Sequence, residues 1–429
     1  MTAKTMTGGQ AVVESLKVND VDTVVGLIGS STLEILDALY DSKNIQYIGC
    51  HDERSGIIMS DAYARMKNKH GVFLAGQAGP GATNTVTGLA QAKAAFSPVV
   101  SLAGAISSEH EGKDSFQEID QQSLFTPVTK KSFKISNTKD IHSVMQEAFK
   151  VAITPRMGPV NINLPRDIMG QSADFQNPSK YQIDKLPEAK VSSLMKAVEL
   201  LTKANNPVIV VGAGIKNNCS HESVLALAEL INAPCCTSPG HGDALPFDHP
   251  LNAGQMGPRG NVVASRLVKE ADVILVLGSR LGFNSTFYSY DNINKDASII
   301  HCEIDENSIG RYFPVEVGIF ADAKTVAEQL LTMLKSHQAK NEAQEWVKDF
   351  QAERKAYLEV RDRDADVSGV PIQPSGLFKE LRQVLPKNAA ITMDAGTLCL
   401  QATDVLNYFE PKSLFTPLDF GLVGFSFPA

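Results

Sequence analysis

No stretch of this 429-residue chain offers the roughly 18 consecutive apolar residues that a membrane-spanning helix requires, which excludes a membrane span. Dense Lys/Arg blocks interleaved with aromatics are also missing. With 40 Lys+Arg against 48 Asp+Glu and a formal net charge of -8, nucleic acid is excluded as the main partner. The first residues, MTAKTMTGG, lack the apolar core of a secretory signal. Cys50, Cys219, Cys235, Cys236, Cys302 and Cys399 show neither CxxC metal spacing nor the density of a disulfide framework. The expectation is a cytoplasmic protein with reduced thiols. A GxSxG elbow is absent, Gly29-Ser30-Ser31 being no match, so Ser–His–Asp hydrolysis has no nucleophile.

Hydrophobic residues at 43% and charged residues at 21% are the profile of a globular protein. A chain of this length holds about three domains and buries roughly three quarters of its unfolded surface. Short β-rich runs at 24–28, 45–50, 72–75, 98–103 and 160–164 alternate with helical patterns at 53–66, 85–94 and 140–152. Ser31 with Glu34 fits a capping box ahead of Ile35, Leu36 and Leu39. Such alternation predicts α/β architecture, with a parallel sheet covered on both faces. The polar stretch 171–189 reads as a linker. A second α/β unit follows, with helices over 192–204 and 222–231 and strands over 208–211, 273–277 and 298–304. Residues 337–366 are rich in charge and read as a solvated connecting helix, with Trp346 and Phe350 one turn apart. A third unit begins after Pro371 and is too short to close a sheet of its own.

Several motifs carry little chemistry. Gly212-Ala213-Gly214 follows a strand as a dinucleotide turn would, but a third glycine and a downstream ribose-binding carboxylate are missing; a tight turn accounts for it better. Gly242-Asp243-Ala244 reads as a turn rather than a metal loop. Cys235 and Cys236 are neighbours on an extended segment, face opposite ways and read as small core residues.

The informative residues lie in the first domain. Cys50-His51-Asp52-Glu53-Arg54 places charge at a strand end, directly before a helix whose next turns carry Ile57, Ile58 and Met59. A carboxylate there sits at the carboxyl edge of a parallel sheet, where open α/β proteins bind ligands. The alternative is a helix N-terminal Glu favoured by the dipole. Gly76-Gln77-Ala78-Gly79-Pro80-Gly81-Ala82-Thr83-Asn84 is a glycine-rich turn that lets backbone approach a flat ligand, and Asn84 offers a donor and an acceptor. It lacks the Lys-Ser/Thr of a triphosphate loop. The polar segment 114–120 supplies a candidate third wall.

Taken in order, these segments resemble the thiamine-diphosphate enzymes of the acetolactate synthase family. The resemblance covers essentially the whole chain. It rests on the Glu53 segment through Ser60-Asp61-Ala62-Tyr63-Ala64-Arg65, on Gly79-Pro80-Gly81-Ala82-Thr83-Asn84, and on Phe116-Gln117-Glu118. Further matches are His249-Pro250-Leu251, Ala271-Asp272-Val273 with Leu277-Gly278-Ser279-Arg280, and Gly424-Phe425-Ser426-Phe427-Pro428-Ala429. It implies three-layer parallel-sheet domains: an aminopyrimidine-binding domain over 1–183, a Rossmann-like middle domain over 184–345, and a linker helix with the first part of a diphosphate-binding domain over 346–429. It also implies a homodimer or homotetramer with active sites between subunits.

Carried over position by position, the resemblance gives Glu53 a hydrogen bond to the N1′ nitrogen of the aminopyrimidine, favouring the imino tautomer whose 4′-nitrogen takes the C2 proton. Gly29, Pro80 and Asn84 match cofactor-side positions, and Gln117 matches one facing the reacting centre. Gly396 and Thr397 correspond to diphosphate contacts, and Val423 to hydrophobic support for the bent cofactor. The Gly-Asp-Gly loop and Asn that hold Mg²⁺ are expected beyond residue 429, so this chain supplies no metal ligand. Leu27-Ile28 replaces the Tyr-Pro of true acetolactate synthases, and residues 280–286 lack their Arg-Phe-Asp-Asp-Arg segment, which weighs against FAD. With 241–246, that stretch looks more like sulfoacetaldehyde acetyltransferase. Two small-molecule reactions stay open: decarboxylation of a 2-oxoacid such as pyruvate followed by carboligation, or conversion of sulfoacetaldehyde and phosphate to acetyl phosphate and sulfite. The second needs cations for a sulfonate and a phosphate, with Arg54, His110, Lys113 and Arg259 as candidates. A non-catalytic binding module is the alternative of another class.

Overall fold

The computed structural model describes residues 3–336 and 343–429. The chain packs as two compact units, Met1–Lys185 with Asp419–Ala429, and Leu186–Leu418.

In the first unit two strands far apart in sequence, β1 (Lys4–Thr7) and β8 (Ser172–Phe175), pair antiparallel, separate from a six-stranded sheet. That sheet is parallel throughout: β2 (Thr23–Leu27), β3 (Gln46–Gly49), β4 (Gly71–Ala75), β5 (Val99–Ala105), β6 (Lys131–Lys134) and β7 (Val160–Pro165), in the order β3-β2-β4-β5-β7-β6. The central strands β4, β5 and β7 are buried along their whole length, as strands covered on both faces must be. Helices α1 (Gly8–Val18), α2 (Leu33–Tyr40) and α6 (Ile141–Ile153) bury Val12, Leu16, Ile35, Met145 and Phe149 on one face. On the other face α3 (Glu53–Lys67), α4 (Pro80–Ala94) and α5 (Gln121–Phe125) bury Ile57, Leu89 and Phe125 against Phe73.

The second unit repeats the plan. Strands β9 (Pro207–Val211), β10 (Cys235–Thr237), β11 (Asn252–Gln255), β12 (Val273–Leu277), β13 (Ser298–Glu303) and β14 (Val317–Phe320) form a parallel sheet ordered β11-β10-β9-β12-β13-β14. Cys235 and Cys236 are fully buried and belong to the cores on opposite faces, as alternation along a strand requires. Gly214 touches the backbone of Gly278: a Cβ on Gly214 would lie 2.8 Å from the Gly278 Cα, so the glycine pattern here serves close strand-end packing. A two-stranded parallel pair, β15 (Ile391–Thr392) and β16 (Leu414–Phe415), completes the unit.

Three local expectations are corrected. Ser31 and Glu34 do not form a capping box: the N-cap of α2 is Thr32 without a side-chain cap, and Ser31 Oγ instead accepts the Ala78 N–H at 3.1 Å. The stretch 171–189 is not wholly a linker, because Ser172–Phe175 pairs with β1 through short alternation that was hard to see among polar residues. The charged stretch is a helix with most of its residues exposed, as expected, but one stripe of it is anchored in the core. Its described part, the helix Gln344–Asp364, buries Trp346 and Phe350, with the Trp346 indole N–H donating to the Pro207 carbonyl at 3.2 Å. Residues 337–342 of that expectation lie outside the described residues. Among the described residues no helix is long and apolar enough to cross a membrane.

Candidate functional site

In the first sheet β2 leads outward to β3, and the chain then returns across β2 to β4. The helices after β2 and β3 pack on opposite faces, so the carboxyl ends of β2 and β4 bound a crevice of the kind that holds ligands in open α/β sheets. Gly29 and Gly76 face each other there. A Cβ on Gly29 would lie 2.4 Å from the Gly76 carbonyl carbon, so only glycines allow these two strand ends to approach so closely.

Glu53 enters this edge as the first residue of α3. The Asp52 side chain caps the helix by accepting the Ser55 N–H at 2.8 Å. Glu53 is 5% exposed, with the fully buried Ile57 one turn on. Asn84, on α4, donates its side-chain amide to Glu53 Oε2 at 3.0 Å. The other oxygen, Oε1, lies 3.3 Å from where a Gly81 Cβ would be. Glu53 is thus a buried residue with one carboxylate oxygen held by Asn84 and the other beside Gly81, where a larger residue would crowd it.

The glycine-rich turn is shorter than its sequence suggests, because α4 begins at Pro80. Proline suits the first helical position, and Gly79, with φ +61, supplies the backbone before it. A Gly79 Cβ would lie 2.7 Å from the Gln117 carbonyl oxygen, which brings the loop of residues 108–120 against the turn. That loop is held by Glu118, whose two carboxylate oxygens accept the backbone N–H groups of Gly112 and Ser115. The Ser115 and Gly112 N–H groups hold its carboxyl below the usual carboxylate range. Gln117 itself has φ +65. Behind the loop a cavity of about 240 Å³ opens at the ends of β5, β6 and β7, lined by Glu118, Gln121, Lys134 and Asn163 among others.

The structure therefore brings Gly29, Glu53, Pro80, Asn84 and Gln117 to one edge of the first unit. Arg54 is exposed as the second residue of α3, and its guanidinium lies 3.5 Å from the position of a Gly424 Cβ. His110 and Lys113 are exposed on the 108–120 loop, where the Lys113 ammonium donates to the Glu109 carbonyl at 2.6 Å. Val423 is 71% exposed in the segment Asp419–Ala429, where Phe425 is fully buried with the Arg65 guanidinium 5.7 Å from its ring centroid. Gly396, Thr397 and Arg259 belong to the second unit. Gly396, with φ +115, precedes the helix Thr397–Val405, and Arg259 sits 5.3 Å from the Phe287 ring centroid. Among the described residues no group of three or more His, Cys, Asp or Glu side chains is placed to hold a metal.

Sequence reasoning passed over Gln77 and Ser30. Gln77 Oε1 accepts the Ser30 N–H at 3.0 Å and the Ser30 Oγ hydroxyl at 3.2 Å, while its Nε2 donates to Gln117 Oε1 at 2.5 Å. An amide side chain inside a run of small residues was the available signal.

The sequence matches the family description "Thiamine pyrophosphate enzyme, N-terminal TPP binding domain" over residues 6–124 and "Thiamine pyrophosphate enzyme, central domain" over residues 194–330. It is 33% identical to a probable acetolactate synthase large subunit of Methanocaldococcus jannaschii, over 99% of this chain and 72% of that protein. It is 32% identical to the probable large subunit of Methanococcus aeolicus, over 99% and 73%. Similarity to the sulfoacetaldehyde acetyltransferase of Alcaligenes xylosoxydans xylosoxydans is equally broad, at 33% identity over 99% and 73%.

Proposed function

The chain belongs to the thiamine pyrophosphate enzymes, and from that premise we propose that it is an acetolactate synthase-like carboligase, removing CO₂ from a 2-oxoacid such as pyruvate and passing the remaining acyl fragment to a second carbonyl. The observation that carries this reading is the buried Glu53, held at Oε2 by Asn84, with Oε1 beside Gly81. A buried carboxylate fits a ring nitrogen that must share a proton with it.

When bound, thiamine diphosphate supplies the nucleophilic carbon that attacks the substrate carbonyl. The protein's part is to bind and orient. Glu53 would hold a proton at the pyrimidine N1′. Gly29, Pro80 and Asn84 would border the pyrimidine, and Gln117 would face the reacting atoms. Gly396 and Thr397, at the N-terminus of a nine-residue helix, suit a diphosphate. Val423 would give the cofactor apolar support. Magnesium would accompany the diphosphate. A site shared between subunits of a homodimer or homotetramer is part of the proposal. Its support is the exposure of Ile28 (69%) and Phe116 (86%), each adjoining a site loop, since apolar side chains left open in this way suit an interface.

A second reading, transfer of an acetyl group from sulfoacetaldehyde to phosphate, is favoured by the similarity to the acetyltransferase. Arg54, His110, Lys113 and Arg259 would be its candidate cations. Calorimetric titration of thiamine diphosphate with Mg²⁺ into the full-length protein, followed by product analysis, tests both readings. Acetolactate from pyruvate supports the first; sulfite from sulfoacetaldehyde and phosphate, without acetolactate, supports the second. Absence of binding and of both products overturns the proposal and leaves a non-catalytic module.

A further inference from the structure

We infer that Gln77 is a positioning residue that fixes the side-chain amide of Gln117 as a hydrogen-bond donor toward the substrate oxygen. The inference rests on the reading above that Gln117 faces the reacting centre.

A backbone N–H can only donate, so the Gln77 atom 3.0 Å from the Ser30 nitrogen must be its carbonyl oxygen. The Ser30 hydroxyl donates to the same oxygen. The other end of the Gln77 amide is then Nε2, which can only donate, and the Gln117 atom it meets must be Oε1. Gln117 has used its acceptor. What it offers to anything else is Nε2 with its two N–H groups, and that nitrogen has no partner among the described residues.

The backbone beneath Gln117 is fixed independently. Glu118 ties the loop to the N–H groups of Gly112 and Ser115, and Gly79 leaves no space between its own Cα and the Gln117 carbonyl. Gln77 also stands close to the carboxylate: its Cβ and Glu53 Oε1 lie 3.2 and 3.3 Å from the same point beside Gly81. The chain Ser30–Gln77–Gln117 therefore delivers a donor of fixed direction to the edge that holds Glu53. When a carbonyl carbon is attacked, negative charge gathers on its oxygen, and a preoriented N–H stabilises that charge without reorganising during the reaction. Loss of one such donor lowers kcat by about 10²–10³-fold.

The test is Gln77→Glu in the full-length protein. The carboxylate keeps the shape and the bonds from Ser30, so the loops stay bridged. Its second oxygen can only accept, so Gln117 must rotate to donate to it and turn its carbonyl to the substrate. The expected result is a fall of about 10²-fold in kcat and kcat/KM together, with thiamine diphosphate affinity and the exchange rate of the cofactor's C2 proton, read by NMR after acid quench, at wild-type values. Activity should recover in part below about pH 5, as the new carboxyl gains a proton it can donate to Gln117. If Gln77 only ties the loops, Gln77→Glu behaves as wild type while Gln77→Leu is impaired, and that pattern overturns the inference. If the wild-type protein neither binds thiamine diphosphate nor acts on either substrate, the functional reading fails instead.

Discussion

Asn84 donates its side-chain amide to Glu53 Oε2 at 3.0 Å, joining the second turn of α4 to the first residue of α3. The amide N–H occupies one carboxylate oxygen and leaves the other turned to Gly81, so two helices that cross through Gly88 and Ile57 also share one polar contact at their N-terminal ends. Glu53→Gln keeps the shape and the packing but could not play the proposed part of sharing a proton with a ring nitrogen. Turnover of the full-length enzyme should fall at least about 10²-fold with little change in thermal midpoint. Steady-state kinetics beside a melting curve checks this, and near-normal turnover would remove Glu53 from the chemistry.

Gly79 is a more local test of the same edge. Its φ of +61 is open mainly to glycine, and a Cβ there would meet the Gln117 carbonyl oxygen at 2.7 Å. Gly79→Ala should displace the 108–120 loop, lowering kcat/KM by more than tenfold, while the six-stranded sheet keeps its far-UV circular dichroism. Retention of full activity would mean that the loop's position does not matter to the site.

The helix Gln344–Asp364 carries its own prediction. Phe350 is fully buried and Trp346 nearly so, both in the core that lies against Val208, Val210 and Ile274. Phe350→Ala should cost about 3–5 kcal/mol, the usual loss for emptying a buried aromatic site, and substitutions of the exposed Lys348 or Lys355 almost nothing. Urea denaturation followed by Trp346 fluorescence distinguishes a core helix from a solvated one.

That helix also marks where the sequence was hardest to read. Two aromatics one turn apart in a 21-residue helix form a narrow stripe, and the charges around it dominate any window average. The sheets were legible because their central strands are continuous apolar runs: Val99–Ala105 and Val273–Leu277 are buried at every position. Short strands with few apolar residues, such as Lys131–Lys134 and Ser172–Phe175, carried too little pattern. At the site, the strand-end position of Glu53 and the turn before Asn84 could be read directly. The roles of Gln77 and Glu118 could not, because both depend on backbone groups brought to them by the fold, Ser30 from 47 positions away.

Stability should also fall in mild acid through one buried histidine. Burial, only partly offset by the hydrogen bond to the Phe149 carbonyl, pushes His70 down to about 4. In the unfolded chain it takes a proton near 6.5. The unfolded state therefore binds more protons between these values, so stability is complete above about pH 6.5 and declines as pH falls toward 4, by about 3 kcal/mol from this group. Urea midpoints of the first unit measured from pH 7.5 to 4 should show this slope, and His70→Gln, which can still donate to the carbonyl, should flatten it. An unchanged slope would place the acid sensitivity elsewhere.

Inside the second unit, Lys216 and Asp243 form an ion pair of 3.0 Å with side chains only 5% and 0% exposed. The pair grips β16 from both sides of one residue: Lys216 donates to the Leu414 carbonyl, and Asp243 accepts the Leu414 N–H at 3.0 Å. What reads in sequence as a simple turn, Gly242-Asp243-Ala244, is thus an anchor for a strand some 170 residues further on. Bringing two charges out of water is costly, and their attraction with the two backbone bonds offsets it only while both are present. Lys216→Met alone should leave an uncompensated buried carboxylate and cost about 3–5 kcal/mol, and Asp243→Leu alone a comparable amount through the stranded ammonium. The double variant should be less damaged than the sum of the two, because neither charge is left alone; the Leu414 backbone groups would be its remaining cost. A double-mutant cycle on urea denaturation measures the coupling. Additive single effects would mean that the two side chains act independently, and that the contact with β16 is held by packing alone.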